Sequence, residues 1–219
     1  MSQIFKAIRF THHFPTVLKN TPVISILKPG RYPALPSFSR PISFFNMVGK
    51  LFEKILLDRI LHKVSKRGLM RDEQFGFRPR HTTSLHLVRL VERITRNLGE
   101  KKLTVAVFLY VAKAFVTVWI HGLLYKLTPL KFPSYIFNTI SGYLRGRTLE
   151  ASFQSATTIS RGMRPGMAQG GLISPVLFSL YVNDVPSPSH HVDLALCADD
   201  TASVATSRKP TLLVSYLQS

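Results

Sequence analysis

Acidic residues are scarce in this chain, and none occurs before Glu53. Only 11 Asp and Glu face 29 Lys and Arg, giving a formal net charge of +18 and a sequence pI near 10.5. That imbalance argues for a polyanionic partner, nucleic acid before membrane, because neutralising phosphates drives such association. The excess is uneven: residues 1–100 hold 18 basic and 6 acidic residues, net +12, and residues 101–219 hold 11 and 5, net +6. Cysteine is nearly absent as well. Cys197 stands alone, which excludes an internal disulfide framework and a cysteine-based zinc site and suits a reducing compartment, nuclear or cytoplasmic. No apolar run reaches the roughly 18 residues a membrane helix needs, so no membrane partner is expected.

Other signals are missing too. The eight histidines show no metal-binding spacing, and His12-His13 and His190-His191 read as surface pairs. There is no nucleophile elbow, phosphate-binding Gly-Lys-Ser/Thr loop or dinucleotide fingerprint. The basic, acid-free start (Ile4, Phe5, Lys6, Ile8, Arg9, Phe10) could mimic a transit peptide, but it runs straight into domain-like sequence. A hydrophobic share of 45% over 219 residues is enough for a sizeable core.

Taken in order, residues 4–10 read as an amphipathic helix and Pro22 to Leu27 as a strand ended by the basic turn Lys28-Pro-Gly-Arg31. Ser39 to Ser43 is a second short extended segment carrying Arg40, whose planar fork suits a phosphate. Asn46 to Lys66 is the clearest helix: Met47, Val48, Leu51, Phe52, Ile55, Leu56, Ile60, Leu61 and Val64 recur at helical spacing, Asn46 is a candidate N-cap and Gly68 a stop. Gln74-Phe-Gly-Phe-Arg-Pro-Arg80 mixes aromatics with arginines. Phe77, Arg78 and Arg80 there could stack on bases and neutralise phosphates, or the loop could simply pack its phenylalanines. A helix from Thr83 to Leu98 presents Leu85, Val88, Val91, Ile94 and Leu98 on one face.

The apolar, β-branched run from Lys101 to Val111 predicts a central buried strand. Helices are expected over 112–127 and 133–144, and a hairpin over 148–163 turning at 155–158. The stretch from Gly162 to Pro175 carries four glycines and two prolines before the apolar helix 177–182, as where a ligand closely approaches backbone. Finally, Leu194 to Val204 reads as strand, tight turn, strand, with Asp199 and Asp200 at the tip. Paired carboxylates at a hairpin tip suit divalent cations in phosphoryl-transfer chemistry, given a further carboxylate from elsewhere.

Six motifs occur together in a fixed order: Lys28-Pro-Gly, Arg40-Pro-Ile-Ser, Gln74-Phe-Gly-Phe-Arg, Phe108-Leu-Tyr-Val-Ala-Lys-Ala-Phe115, Gln169-Gly-Gly-Leu-Ile-Ser-Pro175 and Ala198-Asp-Asp200. Their order resembles a non-LTR retrotransposon reverse transcriptase, most of all insect elements of the Jockey type. The resemblance implies an α+β fingers-and-palm polymerase fold over about 20–219, with fingers in 1–100 after an N-terminal entry segment, palm in 101–219, and the thumb absent. It implies that Arg40, with Lys28 nearby, holds an incoming deoxynucleoside triphosphate. Phe115 gates the sugar, and Gln169 and Gly170 line the nucleotide and template pocket. Asp199 is a metal ligand with Asp200 beside it, for Mg2+ or Mn2+, and the partners are an RNA template and a DNA primer.

The sequence departs from the family pattern where it matters most. Tyr110 stands where the family has its principal metal-binding aspartate, and Val116 replaces a second acid. A neutral phenol cannot replace a carboxylate bridging two cations. Its loss should cost roughly a thousandfold or more in rate. Cys197 occupies a place where the family usually has Tyr, and the chain stops soon after the Asp pair, before the family's remaining palm motif and its thumb. The expectation is therefore a degenerate, truncated copy with impaired or no catalysis; the other reading is a non-catalytic nucleic-acid-binding remnant. A viral RNA-dependent RNA polymerase fits less well, because Phe115 and Gln169-Gly170 follow the reverse-transcriptase pattern. Asp184 and Asp193 are the acids that could enter the site and weaken the case for inactivity.

Overall fold

Local signals place most elements where the spacing predicts them. The computed structural model describes residues 2–11, 14–30, 38–78, 81–111, 113–153, 156–163, 166–186 and 191–218. In chain order these form helix α1 (Ser2–Thr11), strands β1 (Asn20–Leu27) and β2 (Ser39–Ser43), helices α2 (Met47–Lys66) and α3 (Thr83–Gly99), and strand β3 (Leu103–Tyr110). Helices α4 (Ile120–Leu127) and α5 (Ser134–Leu144) follow, then β4 (Thr148–Phe153), β5 (Ala156–Thr157) and β6 (Arg161–Gly162). Helix α6 (Ser174–Tyr181), the hairpin strands β7 (Val192–Cys197) and β8 (Asp200–Ser207), and helix α7 (Pro210–Gln218) come last.

The chain divides into two compact units, each drawn from two separate stretches. The first takes Met1–Leu69 and Phe115–Leu177; the second takes Met70–Ala114 and Phe178–Ser219. This interleaved division differs from a single boundary near residue 100.

In the first unit a mixed sheet runs β2-β1-β4-β5, with β6 also on β4. Strands β1 and β2 are antiparallel, placing Ile26 opposite Arg40, whereas β1 and β4 run parallel from Asn20 opposite Thr148 to Ile24 opposite Ser152. Helix α2 starts as its cap predicts: the Asn46 side chain accepts the Val48 N–H at 2.9 Å, satisfying an orphan donor. Its buried face is Gly49, Phe52, Glu53, Leu56, Ile60 and Val64. Phe14 packs edge-on against both Phe52 and Tyr143, ring centroids 5.4 Å apart in each case, which joins α2 and α5 around one core.

The expected helix over 112–127 is corrected, since only α4 is helical. The stretch before it is held in turns because the Phe115 and Val118 carbonyls accept distant N–H groups, those of Met167 (2.7 Å) and Gly166 (2.9 Å). Backbone groups satisfied by a distant loop cannot also serve an i,i+4 ladder.

The second unit holds an antiparallel sheet ordered β3-β8-β7. Helix α7 covers part of it: Val192, Ala205 and Leu213 form a buried cluster with Tyr216 and Leu217 against it. Asn97 of α3 ties the helix to the sheet, its amide donating to Thr104 Oγ1 and Thr206 Oγ1 at 3.0 Å each. Two expectations fail here. The central strand is β8, built of small and polar residues with Ala202, Val204 and Ala205 buried, while apolar β3 lies at the sheet edge with nearly all its residues exposed. In α3 the periodic residues Leu85, Val88, Val91 and Leu98 are exposed and Asn97 is the buried one among the described residues. Apolarity and period report what a segment can bury, and the partner that would bury it is a separate, long-range fact.

Candidate functional site

The paired acids sit at a tight turn in the second unit. Strands β7 and β8 pair from Val192 opposite Ala205 up to Cys197 opposite Asp200. Only Ala198 and Asp199 separate the strands, and Ala198 takes a positive φ of 61° that allows the tight reversal. Asp199 is therefore at the tip, half-buried, and Asp200 opens β8, exposed. On its other side β8 pairs with β3, and the last rung sets Tyr110 directly opposite Asp200. Tyr110 is 72% exposed. Burial, then the charges of Asp200 and Asp199, push the Cys197 thiol pKa up, so it behaves as a neutral small packing group.

No described acid joins Asp199 and Asp200 in a cluster of metal-ligating side chains. Asp193 lies opposite Val204, four rungs from Asp200 and so about 13 Å down the strand, where it pairs with Arg93. Among the described residues no group of three or more His, Cys, Asp or Glu stands together as metal ligands would, so Asp184 does not complete such a set. With a phenol on the rung of Asp200 and no further acid grouped at the turn, the residues present offer few of the hard anionic oxygens that a pair of divalent cations wants.

Behind the turn lies the Gln74 motif. Phe75 N–H donates to Leu196 C=O at 2.8 Å and Leu196 N–H to Glu73 C=O at 3.0 Å, a parallel bridge onto β7. The Gln74 side chain, fully buried, accepts the N–H of Gly76 at 2.8 Å and that of Ala198 at 3.4 Å. A Cβ on Gly76 would fall 2.1 Å from Ala198 N. Gln74, Phe75 and Gly76 thus support the acidic turn, a role the sequence did not disclose. Phe77 is exposed with φ 55°, and Arg78 bonds the Arg71 carbonyl at 3.2 Å and pairs with Asp72 at 3.6 Å. Arg80 lies outside the described residues.

The residues expected to bind a nucleotide all fall in the first unit. Lys28 follows β1, its N–H donating to Phe38 C=O at 2.8 Å, and Arg40 is exposed on β2. The glycine-rich loop touches two of the segments concerned. Ser43, at the end of β2, donates its N–H to Gln169 C=O at 2.7 Å, and Phe115 C=O receives Met167 N–H. Close approach explains the glycines at two positions: a Cβ would fall 2.4 Å from Val116 O at Gly166 (φ 92°) and 2.8 Å from Ser43 O at Gly170 (φ 108°).

Spacing also missed Glu53. It is fully buried, accepting the Tyr143 hydroxyl at 2.5 Å and the Leu172 N–H at 2.6 Å. Burial raises its pKa above the usual carboxylate range despite those two bonds and the Arg147 and Lys50 charges. The available signal was an acid on the same helical face as Gly49, Leu56 and Ile60.

The second unit thus carries an antiparallel hairpin with adjacent aspartates beside an extended strand, and the first a glycine-rich loop laid on its own sheet. The chain belongs to the reverse transcriptase (RNA-dependent DNA polymerase) family, whose pattern matches residues 26–218. It is 33% identical over 94% of its length to a probable RNA-directed DNA polymerase from transposon BS of Drosophila melanogaster. It is 31% identical over its whole length to the RNA-directed DNA polymerase from the mobile element jockey of the same fly. The chain spans 24% of each of those relatives. In three dimensions it is similar to an apo telomerase from Candida tropicalis truncated from its C-terminal domain, with a TM-score of 0.61, 9% identity, and coverage of 97% of this chain and 49% of that one. Polymerases of this family generally use divalent metals.

Proposed function

We propose that this chain is the fingers-and-palm part of a non-LTR retrotransposon reverse transcriptase, in which nucleotide and RNA binding outlast catalysis. The family reaction is template-directed attack of a DNA primer 3′-hydroxyl on a deoxynucleoside triphosphate, copying RNA. In the first unit Arg40 and Lys28 supply charge for the triphosphate, Phe115 a flat wall for the sugar, and Gln169 and Gly170 backbone close to β2. In the second, Asp199 and Asp200 are the remaining anionic ligands for Mg2+ or Mn2+.

The observation that carries the impairment is Tyr110 at the rung of Asp200. An anionic oxygen is required there to share a cation, and a phenol at neutral pH brings none. Primer extension on an RNA template with magnesium tests the reading. Little or no extension is expected from the chain as written; robust extension overturns the impairment.

The second reading, a nucleic-acid-binding remnant without chemistry, is favoured by the net charge of +18. It predicts RNA affinity that persists in Asp199→Asn and falls steeply with salt.

A further inference from the structure

Glu53 is an acid where helix periodicity calls for an apolar residue. It shares the buried face of α2 with Phe52, Leu56 and Ile60, and an ion in such surroundings is costly unless its oxygens are fully bonded. Both of its bonds leave the helix. Oε1 accepts the hydroxyl of Tyr143 on α5 and Oε2 accepts the backbone N–H of Leu172, three residues after Gln169 and two after Gly170.

The surroundings hold that arrangement in place. A Cβ on Gly171 would come within 2.8 Å of Tyr143 Oη and 2.9 Å of Ser174 Oγ. Arg147, itself buried, lies over the rings of Tyr143 and Phe45 at 4.6 and 4.8 Å and donates to Thr21 Oγ1 at 2.8 Å. On its other side the loop is held by Ser43 through the Gln169 carbonyl. Gln169 and Gly170 are thus gripped between β2 and the Glu53–Tyr143 pair.

We propose that Glu53 is a positioning residue for the nucleotide pocket, fixing the 169–172 backbone against β2 through the Leu172 N–H. The proposal rests on the reading of Arg40, Gln169 and Gly170 as nucleotide-binding. A purely structural helix position would be served by Leu or Met, whereas an acceptor for one loop N–H demands an oxygen at this point.

Hydrogen exchange on the whole chain, read by mass spectrometry, tests the anchoring directly. Glu53→Ala should speed exchange over 166–174 roughly tenfold while α4 stays within about twofold. Glu53→Gln keeps an acceptor for Leu172 and offers an N–H to the Tyr143 oxygen, so it should return the loop to within about threefold of the parent. Calorimetric titration with dTTP should show roughly tenfold weaker binding in Glu53→Ala, with RNA affinity unchanged. Unchanged loop exchange in Glu53→Ala overturns the proposal. So does equal loosening across the first unit, or failure of Gln to rescue. If Glu53→Ala does not fold, Tyr143→Phe takes its place: loosening confined to 166–174 supports the anchor, and none overturns it. A parent chain without dTTP affinity, but with loosening confined to the loop, sinks the nucleotide-pocket reading and leaves the anchor standing.

Discussion

Tyr110 and Asp200 are direct partners on the last rung of the β3–β8 ladder. Opposed residues on an antiparallel pair bring their Cβ atoms to about 5 Å, so whatever occupies position 110 faces the acidic turn at contact range. A carboxylate there would share a cation with Asp200 or repel it.

Tyr110→Asp tests that geometry twice. Without metal it should lower the melting temperature by a few degrees, since like charges now oppose one another. With Mn2+ the loss should reverse, and primer extension should rise roughly a thousandfold above the parent. A variant with neither metal-dependent stabilisation nor extension would show that Tyr110 alone does not account for the impairment.

Gly76→Ala should destabilise the second unit by about 3 kcal/mol, because its new methyl meets backbone at Ala198 that cannot rotate away. Urea unfolding should show a lower midpoint at unchanged slope. A midpoint equal to the parent's would mean the Gln74 segment does not press on the turn as described.

Glu53 gives a pH signature. Its folded pKa is raised, chiefly by burial. An acid raised on folding contributes stability that is fully present below its unfolded value, near 4.5, and is lost as pH rises through the folded value. Melting temperature should therefore decline from about pH 4.5 toward neutrality, and Glu53→Gln should flatten that decline. Parallel profiles for the two proteins would contradict the assignment.

RNA affinity should fall by roughly a thousandfold between about 50 and 200 mM salt if six or so phosphates are neutralised. Filter binding across that range measures the slope, and a flat response would count against any nucleic-acid role.

Much of this was legible in the chain itself. The caps and stripe of α2, the turn at Asp199 and the motif order depend on neighbours within a few residues, where period and turn chemistry act. Family membership followed from six such local signals, and so did the suspicion attached to Tyr110. Three other findings needed the fold. Strand β1 pairs in parallel with β4 more than a hundred residues away; Glu53 is bonded by a tyrosine of α5 and a loop amide it could not have announced; and apolar β3 is an edge while small-residue β8 is central. Each depends on which distant surface closes on which, a long-range choice that local spacing does not encode. The sequence by itself determined most of the local elements, the ancestry and the presence of Tyr110 beside Leu109 in the central motif. Only the tertiary structure decided that Tyr110 faces Asp200 and that Glu53 grips the glycine loop, because both are contacts between segments far apart along the chain.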